Sequence, residues 1–580
     1  MNRNHATFQG VMNYIQKAKR LMSRQYDGTH ALLGVGFSFV LVVFYFQLFA
    51  VKPFNSDTAN ALLVAKGMAA GNWQMHGWYL PPDNFWGLDQ ALAALFFIIT
   101  SNGILTLRLA SVFEWTGLMV LSTYLGTRPR PSTQAMSILA VLLLVPVFGP
   151  ITADSYFWLP CHVLTVFSML LTVVLGDQIL KDTSNSWGWV FLFMVVTIDC
   201  AASDPFFQFI LTLPFLIALA FNEARLRKRL SLGFLFLACV AVGMFLVQMN
   251  TAWGGFVRVA PDVPPFVTAK YIPSATLNVI LAWLGVLGCY PQYLSIFSAL
   301  LAVLRIPLLF FITLPALNCL RRIKTLDFID TTLLFIIGAN ICAVIVAAQI
   351  RDQGGERFLL PAWVAGSILA ARFMRKDKII TIYCFSTAAL TLLAAIVSLA
   401  HSPDGQVPVS EREMAYIKAL SRHHLTRGYS YYWRASDTTV ATDGRIRIVA
   451  VRPSTCGTLV PYDWLSTKRW YSGDPKSHSF FVSLPEDGKL SPLKIATNTF
   501  GKPSNMFRIR YTPAVSPSMA QKSLDVVTYV YNHPLPPLPR GTIKGSTQRC
   551  ASVNDEEKVR TALLPKKQTI FGWSLAEYLP

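Results

Sequence analysis

Apolar residues in this chain fall into long, nearly unbroken runs. They cover 31–51, 108–126, 134–151, 158–176, 188–203, 205–222, 230–249, 297–320, 328–348, 357–372 and 379–400. A helix rises about 1.5 Å per residue, so roughly 20 residues cross a ~30 Å hydrocarbon layer. Lipid offers no partner to an unpaired backbone group, so such runs must be helical. The pattern predicts a polytopic α-helical membrane bundle of about eleven spans. The stretches Leu88–Thr100 and 277–290 are too short to cross and read as re-entrant or interfacial.

Beyond residue 400 the pattern changes to short alternating segments, Arg445–Val451, Ser479–Ser483, Met506–Tyr511 and Val526–Tyr531. A period of two predicts strands, and so a mostly β (α+β) soluble domain over 401–580. Asp443-Gly444, between Thr438–Thr442 and Arg445–Val451, has the chemistry of a tight hairpin turn. The Pro-rich stretch His533–Arg540 reads as a surface segment.

Between the first two spans lies a long loop, 52–107. In it Ala61, Val64, Ala65 and Met68 recur at helical spacing, with Ser56 or Asp57 as cap and Gly71 as stop. This predicts an amphipathic helix lying flat on the membrane, with Asp57 at the mouth of the bundle.

Composition agrees with a chain mostly in lipid: 53% hydrophobic residues, 14% charged, mean hydropathy +0.43. The net charge of +20 would suggest nucleic acid in a soluble protein. Its distribution points elsewhere. The basic region 1–30, then Arg128 and Arg130, then Arg225, Arg227, Lys228 and Arg229, then Arg321, Arg322 and Lys324, then Arg372, Arg375, Lys376 and Lys378 recur in alternate loops. The positive-inside rule therefore predicts an inner-membrane protein with a cytoplasmic N-terminus, a bundle over 31–400 and a periplasmic C-terminal domain. No nucleic-acid partner is implied.

Seven of the nine cysteines, Cys161, Cys200, Cys239, Cys289, Cys319, Cys342 and Cys384, stand singly in apolar runs and read as packing. Cys456 and Cys550 stand alone in the soluble domain, where an oxidising compartment would allow them to pair.

The candidate chemistry lies in the external loops. Asp57 follows the first span, Gly71-Asn72-Trp73 ends the loop helix, and His76-Gly77-Trp78 and Pro81-Pro82-Asp83 follow. Leu107-Arg108-Leu109-Ala110-Ser111 opens the next span, Thr152-Ala153-Asp154-Ser155 lies in a second external loop, and Glu356-Arg357-Phe358-Leu359-Leu360-Pro361 comes late in the bundle. In order and sidedness these motifs resemble the GT-C superfamily of polyprenyl-phosphate-dependent glycosyltransferases, which includes protein O-mannosyltransferases and aminoarabinose transferases. The chain departs from that pattern at Asp57, where Thr58 stands in place of the second adjacent carboxylate of many relatives. That weakens a metal-binding reading, and no cofactor is firmly implied.

The resemblance implies a membrane enzyme moving a sugar from a polyprenyl-phosphate donor to an envelope acceptor: a lipid, a polysaccharide or a protein. A carboxylate within hydrogen-bond reach can take the acceptor hydroxyl's proton, and fixed cations can meet the charge on the departing phosphate. Asp57 is the expected general base, with Asp83 and Asp154 orienting the substrates or sharing its role. Arg357 and Arg351 are expected on the phosphate, with Trp78 and His76 as further substrate contacts. Each has a plainer reading: Asp57 as a helix cap, Arg357 as a side chain reaching to headgroups, Asp154, Asp199 and Asp204 as loop acids, Trp78 as an interfacial anchor. His162 reads as a satisfied polar residue with no role. A transporter, or a non-catalytic envelope assembly protein binding through its C-terminal domain, remains the alternative.

Overall fold

The computed structural model describes residues 56–128, 132–144, 162–181, 187–259, 266–289, 296–350, 355–374, 377–400, 411–454, 457–485, 491–509 and 526–538. The expected first span at 31–51, Asp154, Arg351, Cys456 and Cys550 lie outside these residues.

The described residues begin with helix α1 (Ser56–Ala69), strand β1 (Trp78–Leu80) and the short helix α2 (Ala91–Thr100). The bundle continues through α3 (Gly103–Thr127), α4 (Thr133–Leu144), α5 (Val163–Lys181), α6 (Trp187–Ser203), α7 (Pro205–Phe221) and α8 (Leu226–Ala252). Strand β2 (Val257–Arg258) leads to α9 (Ile272–Val286), α10 (Ile296–Arg305), α11 (Leu308–Arg321), α12 (Phe328–Val346), α13 (Leu360–Phe373) and α14 (Lys378–Ala400). Among the described residues five helices are long and apolar enough to cross a membrane: α3, α5, α8, α12 and the pair α10–α11 taken as Ala299–Arg321. Most of the others are shorter, so the expected eleven spans are not established. The expected span at 297–320 is broken where Pro307 precedes α11, since a proline ring disfavours continuing the preceding turn.

Large apolar side chains line the outward faces of these helices: Phe191, Phe209, Leu213, Phe234 and Ile382 are each more than half exposed. In water such a surface would aggregate; in lipid it is solvated. Inward faces pack closely instead. A side chain on Gly243 of α8 would put its Cβ 2.6 Å from the Ile198 carbonyl of α6, so only glycine allows that crossing. Capping fixes where helices begin. Asn102 Oδ1 accepts from Leu105 N–H at 3.0 Å, Asp204 Oδ1 from Phe206 N–H at 2.9 Å, and Asp327 Oδ1 from Asp330 N–H at 2.8 Å.

The C-terminal region contains α15 (Glu411–Arg422), β3 (Arg427–Ser430), α16 (Tyr432–Ala441), β4 (Arg447–Pro453), β5 (Leu459–Pro461), β6 (Ser466–Thr467), β7 (Phe480–Pro485), α17 (Pro492–Phe500), β8 (Asn505–Ile509) and β9 (Val526–Tyr531). Six strands form one sheet in the order β5-β4-β3-β7-β9-β8. Its centre is parallel, β3 pairing in parallel with both β4 and β7, and its flanks are antiparallel. The four expected strand segments appear. The expected hairpin does not: Thr438–Ala441 is the end of helix α16, and Asp443-Gly444 turns from that helix into β4. Both turn residues have the positive φ that the dipeptide favours, 48° and 76°, but Gly444 N–H closes onto Thr439 O at 2.8 Å in the manner of a helix terminus. The turn chemistry was readable, and the element before it was not.

Helix α1 also corrects the sequence reading. It packs against α2 on one side and α16 on the other, and residues all round it are buried, Ala59, Asn60, Leu62 and Val64 among them. It is an internal helix linking the bundle and the C-terminal region rather than one lying flat with a face to lipid. A second link is a three-stranded sheet, β2-β1-β6, with Tyr79 opposite Val257 and Trp78 opposite Thr467.

Candidate active site

Asp83 lies between β1 and α2, on a loop stapled to the end of α6. Asn84 Nδ2 donates to Ala202 O at 3.2 Å, Phe85 N–H to Ser203 O at 2.9 Å, and Gly87 N–H to Ser203 Oγ at 2.8 Å. A Cβ at position 87 would lie 1.7 Å from Asp199 Oδ1, so a larger residue there displaces the Asp199 carboxylate. These contacts bring Asp83 beside Asp204, which begins α7.

Asp204 is fully buried and saturated. Its Oδ2 lies 2.6 Å from His162 Nδ1 and accepts from Thr165 Oγ1 at 2.7 Å, while Oδ1 caps α7. His162, at the start of α5, is 3% exposed and is enclosed by Phe85, Phe206 and Phe358, at ring centroid separations of 5.1, 4.9 and 5.4 Å. Both Phe85 (φ 52°) and His162 (φ 64°) hold left-handed backbone conformations, which L side chains adopt at a cost.

Arg357 reaches the same place from the turn before α13. That turn is clamped by Asn340 of α12, whose Nδ2 donates to Phe358 O at 2.8 Å and whose Oδ1 accepts from Ala362 N–H at 3.2 Å. The Arg357 guanidinium lies over the Phe358 ring, 5.2 Å from its centroid, and its buried Nε has no hydrogen-bond partner among the described residues.

The charges act on one another. Burial pushes the Asp83 carboxyl up, His162 and Arg357 pull it down, Asp204 pushes it up again, and the net value is about 6. For Asp204, burial alone would raise the carboxyl, but the charge and hydrogen bond of His162 hold it below its ordinary value. Burial works against a charge on His162, and the Asp204 carboxylate reverses this, so His162 is raised. The pair therefore favours imidazolium and carboxylate, with Nδ1–H donating.

Asp57, the expected base, is held elsewhere. Tyr432 O–H at the start of α16 donates to Asp57 Oδ1 at 2.5 Å, and one turn on Ser436 Oγ donates to Asn60 Oδ1 at 2.6 Å. Burial, then the Asp57 charge, push the Tyr432 hydroxyl well above its ordinary pKa, so it stays a donor. Trp78 is buried in β1 with its ring edge on Trp470 at 5.5 Å, and His76 is exposed with Nδ1 2.7 Å from Gly254 O. Of the expected residues, then, Asp83 and Arg357 converge, Asp57 joins the bundle to the C-terminal region, and Trp78 and His76 line a separate cleft. Among the described residues no group of three or more His, Cys, Asp or Glu side chains could hold a metal ion.

Sequence reasoning missed His162 and Asp204. Ionisable residues at the ends of two apolar helices were the available signal. Asp204 immediately before Pro205 was legible as a cap, but its pairing with a residue 42 positions away was not.

No family model matches the sequence, and no curated protein matches it. Two crystal structures of ArnT from Cupriavidus metallidurans resemble the chain. The one bound to undecaprenyl phosphate is 12% identical, with 87% of this chain and 98% of that one covered and a TM-score of 0.49. The one in the apo state is 11% identical with the same coverage and a TM-score of 0.51. Such a likeness concerns architecture alone, and the fold is that of the apo ArnT structure.

Proposed function

We propose that this chain is a membrane glycosyltransferase of the inner membrane that moves a sugar from a polyprenyl-phosphate donor to an external acceptor. The observation that carries this reading is the convergence of Asp83, the His162–Asp204 pair and Arg357 at one end of an ArnT-type bundle. A carboxyl group with a pKa near 6 is a base of useful strength at neutral pH, and Arg357 offers an unused donor.

In the proposed step Asp83 accepts the proton of the acceptor hydroxyl as that oxygen bonds to the anomeric carbon. The bond from that carbon to the phosphate oxygen breaks, its electron pair leaves with the polyprenyl phosphate, and the anomeric configuration inverts. Arg357 meets the charge on the departing phosphate, while His162 and Asp204 hold the surrounding field and exclude water with the three phenylalanines. We favour Asp83 over Asp57 as base because the Asp57 carboxylate already accepts a short hydrogen bond from Tyr432. The positive-inside rule puts the Asp83 end outside and the basic loops in the cytoplasm.

The test is transfer in proteoliposomes from a labelled polyprenyl-phosphate sugar, followed as release of polyprenyl phosphate. Wild-type protein should release it with acceptor present, and Asp83→Asn should not. Solute flux without any release would instead identify a transporter.

A further inference from the structure

Between the first external loop and the C-terminal region runs a cleft of about 720 Å³, walled by His76, Trp78, Arg447, Arg469 and Trp470. A smaller hollow of about 270 Å³ continues it, sharing Arg447, Arg469 and Trp470 and adding Arg427 and Asp474. Sharing that wall, they form one continuous trough. Its shape is fixed by backbone, since Lys468 N–H donates to Gly77 O at 2.8 Å and β6 pairs with β1 beneath it.

The trough is strongly cationic. Asp474 is the one carboxylate among its described lining residues, and it pairs with Arg427 at 2.9 Å. Arg447, Lys468 and Arg469 remain as positive charge. Burial, then Arg427, then Arg469 lower the Arg447 pKa, which shows how closely these guanidinium groups crowd one another. Like charges gathered in a hollow are relieved by an anion, and guanidinium forks match carboxylate and phosphate oxygens. Beside them stands the partly exposed Trp470, set edge to face on the buried Trp78 at 5.5 Å and offering flat apolar surface of the kind that stacks on sugar rings.

We infer that this trough binds an extended anionic polysaccharide, its acidic groups on Arg447 and Arg469 and a sugar ring against Trp470. Extent favours a chain over a compact headgroup, because the cationic lining runs through both adjoining hollows, with Arg447, Arg469 and Trp470 in each. Trp78 and Asp83 are five positions apart, at most roughly 18 Å of extended chain, so the Trp78 wall of the trough lies no farther than that from the candidate base. That it is the acceptor rests on the function proposed above; that it binds does not.

The experiment is titration of the purified full-length chain in detergent with oligogalacturonate, read by tryptophan fluorescence and calorimetry, with dextran of equal length as neutral control. Oligogalacturonate should bind saturably and weaken as salt rises, while dextran should not bind. Arg469→Glu, at an exposed position, should weaken binding about tenfold or more with an unchanged melting temperature, and Arg447→Ala with Arg469→Ala more still. Equal binding of dextran, or binding indifferent to both variants, overturns the inference. So does inorganic phosphate binding as tightly, which means a simple anion site, or phosphatidylglycerol vesicles binding through the same arginines in place of the oligosaccharide, which means a headgroup site. Transfer is not measured here, so losing this binding leaves the reading of Asp83 intact.

Discussion

The two ends of the helix bundle carry the same kinds of residue and use them differently. At one end Arg372, on α13, is saturated: Nε lies 2.6 Å from Asp330 Oδ1, Nη2 donates to Asp327 Oδ2 at 2.9 Å and Asp330 Oδ2 at 3.1 Å, and Nη1 donates to Leu125 O at 3.0 Å. At the other end Arg357, just before the same helix, has a buried Nε with no partner among the described residues, and a nearby carboxyl whose pKa is raised. A saturated arginine has nothing left to offer a ligand. A buried donor left open is costly unless something visits it. The first end ties α3, α12 and α13 together, and the second is poised for a substrate anion.

The sharpest way to break this contrast is Asp83→Asn. If Asp83 is the base, transfer should fall by about 10²–10⁴-fold, the usual worth of general base catalysis. The same change should raise the melting temperature at pH 7. The folded-state carboxyl, near 6, lies above its ordinary value of 3.8, so between those values the folded state holds more protons and stability falls as pH rises. Lost activity with gained stability cannot be misfolding. In the wild type, activity should climb as pH rises through about 6 as Asp83 ionises, and this limb should vanish from any residual activity of the variant.

Arg357→Met should come next, lowering the transfer rate by about 10²–10³-fold through loss of a donor to the leaving phosphate. Its mirror image, Arg372→Met, should act on stability. Removing one partner of a buried pair costs about 3–5 kcal/mol, and chemical unfolding in detergent would read it. Specific activity of the surviving folded protein should change little. Equal stability losses from both substitutions would erase the distinction between the ends.

How much of this was legible depends on the range of the interaction. The helices α6 and α7 were readable to within a residue or so, because a run of apolar side chains ended by Asp204-Pro205 is local information. The loops at Arg128 and Arg372, expected on one side, do share an end of the bundle: the Arg128, Asp177, Asp327 and Arg372 charges act on one another there. What could not be read was pairing across the chain. His162 and Asp204 meet because two helix ends meet, and α1 is buried because α16 covers it. An amphipathic pattern shows which side is apolar but not what will lie on the other. Asp83 and Arg357 were legible as chemistry, and their convergence was not.

The smallest expected effect concerns Asp57, where the sequence and the geometry pull apart. Tyr432→Phe removes one hydroxyl and leaves the ring packed on Tyr462 at 5.0 Å. A hydrogen bond to a carboxylate contributes about 1.5–3 kcal/mol, so docking of the external region should weaken by that order, visible as faster proteolysis near α16. Transfer should fall only modestly if Asp57 serves this junction, because the Asp83 end is untouched. If Asp57 is the base instead, freeing its oxygen from a short hydrogen bond should open it to the acceptor hydroxyl and increase the rate. The two roles thus predict opposite signs from the same missing oxygen, and a rate measurement on this one variant decides between them.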